Sequence, residues 1–416
     1  MNPFFFIILF ALILEYILGI VSNLLNLKAL KLEPPTTLKG VYKPDEYRKS
    51  QLYNRTITRF NFVTNTFSFI MLLIFWFVGG FNLLDQIVRS WGFISIVNGL
   101  LYIGILLLGY SLLTLPFSIY TTFVIEERFD FNRTTLRTFM LDRIKGLCLV
   151  VLIGTPLLAS ILALFEYADH YAWLYCWIAV TAFSLILQLV IPKWIMPLFN
   201  KFTPLESGEL KDAILDYANS VDFPVKNVFV MDGSKRSSKS NAFFTGIGRN
   251  KRIALYDTLI EKHTVSGLIA VLAHEIGHQK KGHILQGTII GIIHSGVLFF
   301  LLSIFLSSTN LYEAFYMEQQ SIYSGILFFG LLYTPLEMLF SIFLQALSRK
   351  NEYEADLFSA KTIDNPNNMI DALKKLSSDN LSNLTPHPFY VFMNYSHPPL
   401  LQRIHAILQY EARLRE

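Results

Sequence analysis

Seven windows of mostly apolar residues recur along the chain, near 3–22, 62–80, 94–117, 147–166, 172–191, 284–306 and 322–346. A helix needs roughly 20 such residues to cross the hydrocarbon of a bilayer, so the pattern predicts seven membrane helices. Two polar stretches, 193–283 and 347–416, are long enough to fold outside it. In the first, 225–233 (VKNVFVMDG), 241–248 (NAFFTGIG) and 252–257 (RIALYD) read as short strands punctuated by Gly and Asn. A helical stretch follows from Val265 and runs toward the sixth span. The chain thus divides into 1–192 with spans one to five, 193–283 as an extramembrane domain, 284–346 as a transmembrane hairpin, and 347–416 as a tail.

The connections between spans predict an orientation. The first carries Lys28, Lys31, Lys39, Lys43, Arg48, Lys49, Arg55 and Arg59, and the third carries Arg128, Arg133, Arg137, Arg143 and Lys145. The second has Arg89 alone, and the fourth and sixth have acids but neither Lys nor Arg. Cytoplasmic loops hold the excess of Lys and Arg. This places the N-terminus outside and both polar stretches in the cytoplasm. With no basic residue before it and no small-residue cleavage site after it, the first window reads as a retained span rather than a signal peptide.

Composition agrees with a lipid-facing surface. Hydrophobic residues make up 53% of the 416 and charged residues 16%, against roughly 25% charged in soluble domains; mean hydropathy is +0.42. A net charge of +4 with no clustered basic stripe gives no footprint for nucleic acid. The two cysteines, Cys148 and Cys176, sit inside apolar runs and read as buried packing residues. Any metal must therefore be held by His and carboxylate. Nothing in the pattern demands more than a monomer.

The predicted helix after the strands contains His274-Glu275-Ile276-Gly277-His278. Residues four apart share a helix face, so both imidazoles can reach one ion. Glu275 then lies where it can take a proton from water at the metal. Zinc suits nitrogen and carboxylate ligands with one position left open. A third ligand is available in Asn351-Glu352-Tyr353-Glu354-Ala355-Asp356, just past the seventh span. The sixth span leaves the cytoplasmic face directly after His278 and the seventh returns there, so the hairpin delivers Glu352 to the depth of the histidines.

Asp356, one turn on, can orient a ligand histidine. Glu352 and Asp356 also read as solvated acids paired with Arg349 or Lys350, while Glu354, two positions on, points elsewhere on the helix. His283, five past His278, is off the shared face and reads as a membrane-boundary residue. His263 and His387 read as solvated. Within spans, Glu15, His294 and Glu337 face either a water-filled cavity or one another.

Several stretches carry a family likeness: RKSQLYN, VIEERFDFNRTTL, LFNKFTPLESGELK, SKRSSKSNAFFTGIG with KRIALYDTLI, VLAHEIGHQKKGH, SRKNEYEADLFSA and YSHPPLLQRI. Over almost its whole length the chain resembles the type I CAAX prenyl proteases, integral-membrane zinc endopeptidases that process prenylated proteins. The resemblance implies seven helices around an intramembrane chamber, closed at the cytoplasmic end by a zincin-like α+β catalytic domain. It implies His274, His278 and Glu352 as zinc ligands, Glu275 as catalytic base, and Asp356 as the end of an ExxxD motif.

It further implies His397 and Arg403 as oxyanion-stabilising groups, although SHPP also reads as a plain turn and Arg403 as a surface cation. Asn241, Ala242 and Phe243 match an edge strand on which the substrate backbone pairs. Lys239 departs from the histidine expected there and leaves specificity open. The function expected is hydrolysis near the C-terminus of prenylated CAAX-type proteins by attack of zinc-bound water, in the endoplasmic reticulum or a bacterial inner membrane. A protein that holds or clears membrane-stuck polypeptides, with hydrolysis secondary, is the alternative.

Overall fold

In hydrocarbon a backbone N–H or C=O finds no water, so a spanning segment must satisfy its hydrogen bonds internally as a helix or a closed barrel. The apolar windows take the helical solution. A computed structural model of the chain describes residues 2–31, 33, 43–223, 225, 227–245 and 252–415. Among these, seven helices are long and apolar enough to cross a membrane. They are α1 (Pro3–Ala29), α2 (Pro44–Phe77), α4 (Ser95–Glu126), α5 (Leu136–Tyr167), α6 (Asp169–Phe199), α10 (His283–Phe305) and α12 (Ile322–Thr362). The other helices used below are α3 (Gly80–Ser90), α7 (Glu209–Ser220), α8 (Asp257–Lys262), α9 (Val265–Lys280), α11 (Thr309–Glu313), α13 (Asn367–Asp379), α14 (Pro388–Asn394) and α15 (Leu400–Arg415).

Two helices overrun their predicted windows furthest, and at the same end of the bundle. Helix α2 begins at Pro44, and α12 continues through Arg349 and Lys350 to Thr362 without a break. Glu352 is therefore on the same helix as the seventh span, beyond Pro335, not on a separate tail.

The three expected strands form as β2 (Asn227–Met231), β3 (Ala242–Thr245) and β4 (Arg252–Tyr256). Residues 246–248 of the second predicted strand, and Lys39 of the first basic loop, lie outside the described residues. A fourth strand, β1 (Phe202–Pro204), is too short and proline-bearing to show in the pattern. The order is β1-β2-β4-β3, with β2 and β4 parallel and the other pairs antiparallel. This leaves β3 as an edge.

Apolar burial is concentrated at the two ends. Far from the sheet, Phe5, Trp76, Phe81, Tyr102, Phe315, Tyr323 and Phe328 interlock the ends of α1, α2, α4 and α12 with α3 and α11. At the other end Ile253, Leu255, Leu268, Leu272 and Ile276 pack the sheet against α9, and Val271, Leu373 and Ile407 join α9 to α13 and α15. Of the two cysteines only Cys176 is buried. Cys148, expected to be buried, is exposed on α5, where an apolar run faces outward from the bundle.

Candidate active site

Helix α9 starts at Thr264, whose hydroxyl accepts the Gly267 N–H at 3.2 Å. It buries Leu268, Leu272 and Ile276 against the sheet. Its other face meets α12, and Gly277 permits the approach. A Cβ there would lie 3.1 Å from the Ala355 Cα and 3.2 Å from its carbonyl oxygen. The glycine inside the HEIGH sequence thus lets two helix backbones come close, and the side chains flanking that contact converge.

The His274 and His278 Nε2 atoms lie 3.2 Å apart. Glu352 places Oε2 3.5 Å from the first and Oε1 3.2 Å from the second. His274, His278 and Glu352 each offer a ligand atom within 4.8 Å of the others. Glu352 is 4% exposed, and its Oε2 is buried without a hydrogen bond. This buried oxygen has the Arg403 guanidinium 3.4 Å away and the His274 ring 3.5 Å away but no hydrogen bond, and a cation at closer range would offset the cost of burying it. Two imidazoles and a carboxylate are the donor set of many zinc hydrolase sites. The residues fit the metal.

The remaining nitrogens of both rings are occupied too. His274 Nδ1 is 2.9 Å from Asp356 Oδ1. Asp356 is buried and takes two bonds from Arg403, Nε to Oδ2 at 2.7 Å and Nη2 to Oδ1 at 2.6 Å. Arg403 Nη2 also lies 3.4 Å from Glu352 Oε2. Its guanidinium is thus locked against the acids behind the ring. The competing partners of Glu352 and Asp356 are engaged elsewhere: Arg349 donates to the Tyr395 carbonyl at 2.6 Å, and Lys350 lies 3.9 Å from Glu354. By holding Tyr395, Arg349 shapes the turn that presents His397. The side chain of His397 is 62% exposed, with Nε2 3.3 Å from Glu352 Oε1.

Glu275 stands between two clefts. One, of about 640 Å³, is lined by Lys239, Asn241, Ala242, His274, His397 and Arg403 together with Asn380, Asn383 and Tyr395. The other, of about 410 Å³, is lined by Phe243, His278 and the membrane-helix residues Ile284, Gly287, Ile290, Leu344 and Leu347. Burial pushes the Glu275 carboxyl above the usual carboxylate range, against the pull of both histidines. That direction suits a proton acceptor.

On the edge strand, the Asn241 carbonyl accepts the Tyr256 N–H, so alternation turns the Ala242 amide outward. There the Asn241 side chain holds it at 2.9 Å. Phe243 packs edge-on against Tyr256.

Three sequence expectations change. His283 is 9% exposed and lies 3.0 Å from His278, Nδ1 to Nδ1, rather than simply marking a boundary. The His263 side chain, expected in solvent, is 2% exposed and 3.6 Å from Asp379. His387 caps α14, its Nδ1 accepting the Phe389 N–H. His294 and Glu337 pair with each other at 3.2 Å. Lys239, which departs from the expected histidine, has partners that the sequence does not announce. Its ammonium lies 3.1 Å from Glu126 and over the Phe131 ring at 4.3 Å, with Tyr53 OH at 3.0 Å. These partners come from α2, α4 and the following turn, so no local signal announces them.

A family model described as CAAX prenyl protease N-terminal, five membrane helices, matches residues 23–201, and one for Peptidase family M48 matches residues 204–411. The chain is 36% identical over 417 residues to the CAAX prenyl protease 1 homolog of Arabidopsis thaliana, covering 97% of each. It is 35% identical over 401 residues to CAAX prenyl protease 1 of Saccharomyces cerevisiae, covering 90% of this chain and 88% of that protein. The crystal structure of S. mikatae Ste24p superimposes with a TM-score of 0.93 at 32% identity, covering 98% of this chain and 99% of that one. With both models matched in sequence order and its relatives aligned nearly end to end, this chain belongs to the M48 peptidase family and is a multi-pass membrane zinc metallopeptidase.

Proposed function

We propose that this peptidase cuts prenylated CAAX-type proteins near their C-terminus, at a site where His274, His278 and Glu352 hold zinc. The observation that carries the reading is the position of Glu275 between two unlike clefts, one of mixed polar and apolar lining that holds Lys239, Asn380 and Asn383, and one continuing among membrane-helix residues. A lipid-modified peptide has the same division. Its apolar anchor matches the side of Ile290 and Leu344, and its polar C-terminal residues match the side of Asn380 and Asn383. The names of the relatives support this substrate class.

Zinc held by these residues would supply Lewis acidity, polarising a carbonyl and acidifying a water. Glu275 takes the proton of the attacking water and returns it to the leaving amine. His397, exposed at the rim, hydrogen-bonds the carbonyl oxygen as charge develops on it. Arg403, expected as an oxyanion-stabilising group, instead holds Asp356 with two hydrogen bonds, and Asp356 fixes the ring of His274. Asn241, Ala242 and Phe243 hold the peptide as an added strand on β3, which reads main chain rather than sequence. A peptide antiparallel to β3 runs its C-terminal end toward Lys239, and so into the cleft that holds Asn380 and Asn383. Lys and Arg in the connecting loops support a cytoplasmic site. The chain acts as a monomer on a peptide or protein substrate within the bilayer, in the endoplasmic reticulum or a bacterial inner membrane.

The test is cleavage of a farnesylated CAAX-ending peptide in detergent, beside its unprenylated twin, by the wild type and Glu275→Gln. Faster cleavage of the farnesylated peptide by the wild type alone supports the reading. Equal rates on both peptides remove the prenyl requirement. They would favour the second reading that main-chain recognition suggests, clearance of membrane-stuck polypeptides in extended form.

A further inference from the structure

We propose that His283 and Glu354 are positioning residues for the metal centre, fixing the ring of His278 as Asp356 fixes that of His274; this rests on the reading that His274, His278 and Glu352 hold zinc. A ligating imidazole presents one nitrogen to the metal and donates from the other, and its partner sets both tautomer and ring angle. For His274 the partner is a carboxylate. For His278 it is a second imidazole, His283, at 3.0 Å between the two Nδ1 atoms.

The direction of that bond follows from the geometry. The Nε2 of His278 faces His274 and Glu352, so as a ligand it must be unprotonated and Nδ1 carries the hydrogen. His283 Nδ1 is then the acceptor, which leaves its own hydrogen on Nε2. That nitrogen faces Glu354 Oε2 at 3.3 Å, a carboxylate ready to accept it. The opposite order would put a hydrogen on His278 Nε2, aimed at the ligand cluster. Only the order Glu354, His283, His278 leaves the His278 ligand nitrogen free to bind.

A backbone feature builds the contact. On one continuous helix, positions five apart lie about 140° apart around the axis and do not meet. Between His278 and His283 the chain leaves α9 at Lys281, and Gly282 adopts φ +74° before α10 begins. The left-handed turn swings His283 back onto His278, where it is buried. Glu354 reaches the same place from α12, two residues past the ligand Glu352.

The experiment uses the full chain in detergent, with zinc dissociation constants from competition with a chromophoric chelator. Wild type, His283→Ala, His283→Asn and Glu354→Gln are compared, with thermal unfolding of each metal-free protein and the visible spectrum of each cobalt-substituted one. Asn places Oδ1 where His283 has Nδ1 and keeps the acceptor. Losing an orienting partner weakens metal binding about tenfold to a hundredfold. His283→Ala is expected to show that loss and an altered cobalt spectrum, His283→Asn to recover most of it, and Glu354→Gln to fall between. Zinc affinity unchanged in His283→Ala, or equal loss in Ala and Asn variants with equally lowered apo midpoints, overturns the proposal. A wild type that binds no zinc overturns the metal reading beneath it.

Discussion

Gly277 faces Ala355 so closely that a single added carbon would sit 3.1 Å from the opposing Cα and 3.2 Å from its carbonyl oxygen. Ala is normally the better helix former by roughly 0.5–1 kcal/mol. Here the neighbour is backbone on α12, which cannot rotate aside, so the helices must part by a few tenths of an ångström. Gly277→Ala is expected to weaken zinc binding while leaving the fold intact, measured as zinc retained after dialysis against chelator beside the far-UV circular dichroism.

The fork between Arg403 and Asp356 makes a second prediction. Arg and Lys are not equivalent where two parallel hydrogen bonds are made. Arg403→Lys should keep the charge yet lower zinc affinity, because a single ammonium does not fix both Asp356 oxygens. Arg403→Ala leaves a buried carboxylate uncompensated, a change that costs about 3–5 kcal/mol. Thermal midpoints should rank wild type, Lys, then Ala, and a neutral Ala variant would sink the argument.

The edge strand can be tested with one backbone atom. The outward amide of Ala242 is not part of the β3–β4 ladder and meets only the Asn241 side chain within the protein, so Ala242→Pro removes a donor that an incoming peptide would use in its place. Proline is tolerated on edge strands for this reason. Peptide KM should rise sharply with zinc content unchanged. Unaltered KM would exclude strand addition at β3.

At the far end of the bundle, Asp85 is 1% exposed and bonded to Tyr323 OH at 2.5 Å and Arg89 Nε at 2.7 Å. Tyr323→Phe removes one of two partners, costing about 1–3 kcal/mol. Arg89→Leu leaves the carboxylate without its counter-charge, costing about 3–5 kcal/mol. Thermal unfolding in detergent should show the arginine change to be the larger, whereas equal small shifts would mean water reaches the acid.

What the sequence reveals about this molecule depends on how local each cause is. The seven helices are legible because lipid imposes a length and a composition on every span. His274 and His278 can be paired on paper because both lie on one unbroken helix. The meeting of Glu352 with them follows from counting crossings, since α10 leaves and α12 returns to the same face. His283 escapes that arithmetic because Gly282 interrupts the helical period. The partners of Lys239 and Arg403 are hidden for another reason. Tyr53 is 186 positions from Lys239, and Asp356 is 47 from Arg403, and no periodicity links residues so far apart. Cys148 misled because an apolar run in a membrane protein does not distinguish a core from a lipid-facing surface.

Helix α12 carries Tyr323 near one end and Glu352 near the other, 29 residues or about 44 Å apart along a single rod. A loop between them would absorb a shift at either end, whereas a membrane helix gives mainly where a proline removes a hydrogen bond, here at Pro335. Distance from His274 and His278 is therefore an incomplete guide to which substitutions disturb the site. A substitution in the aromatic cap at the opposite end of the membrane can present as a loss of hydrolysis.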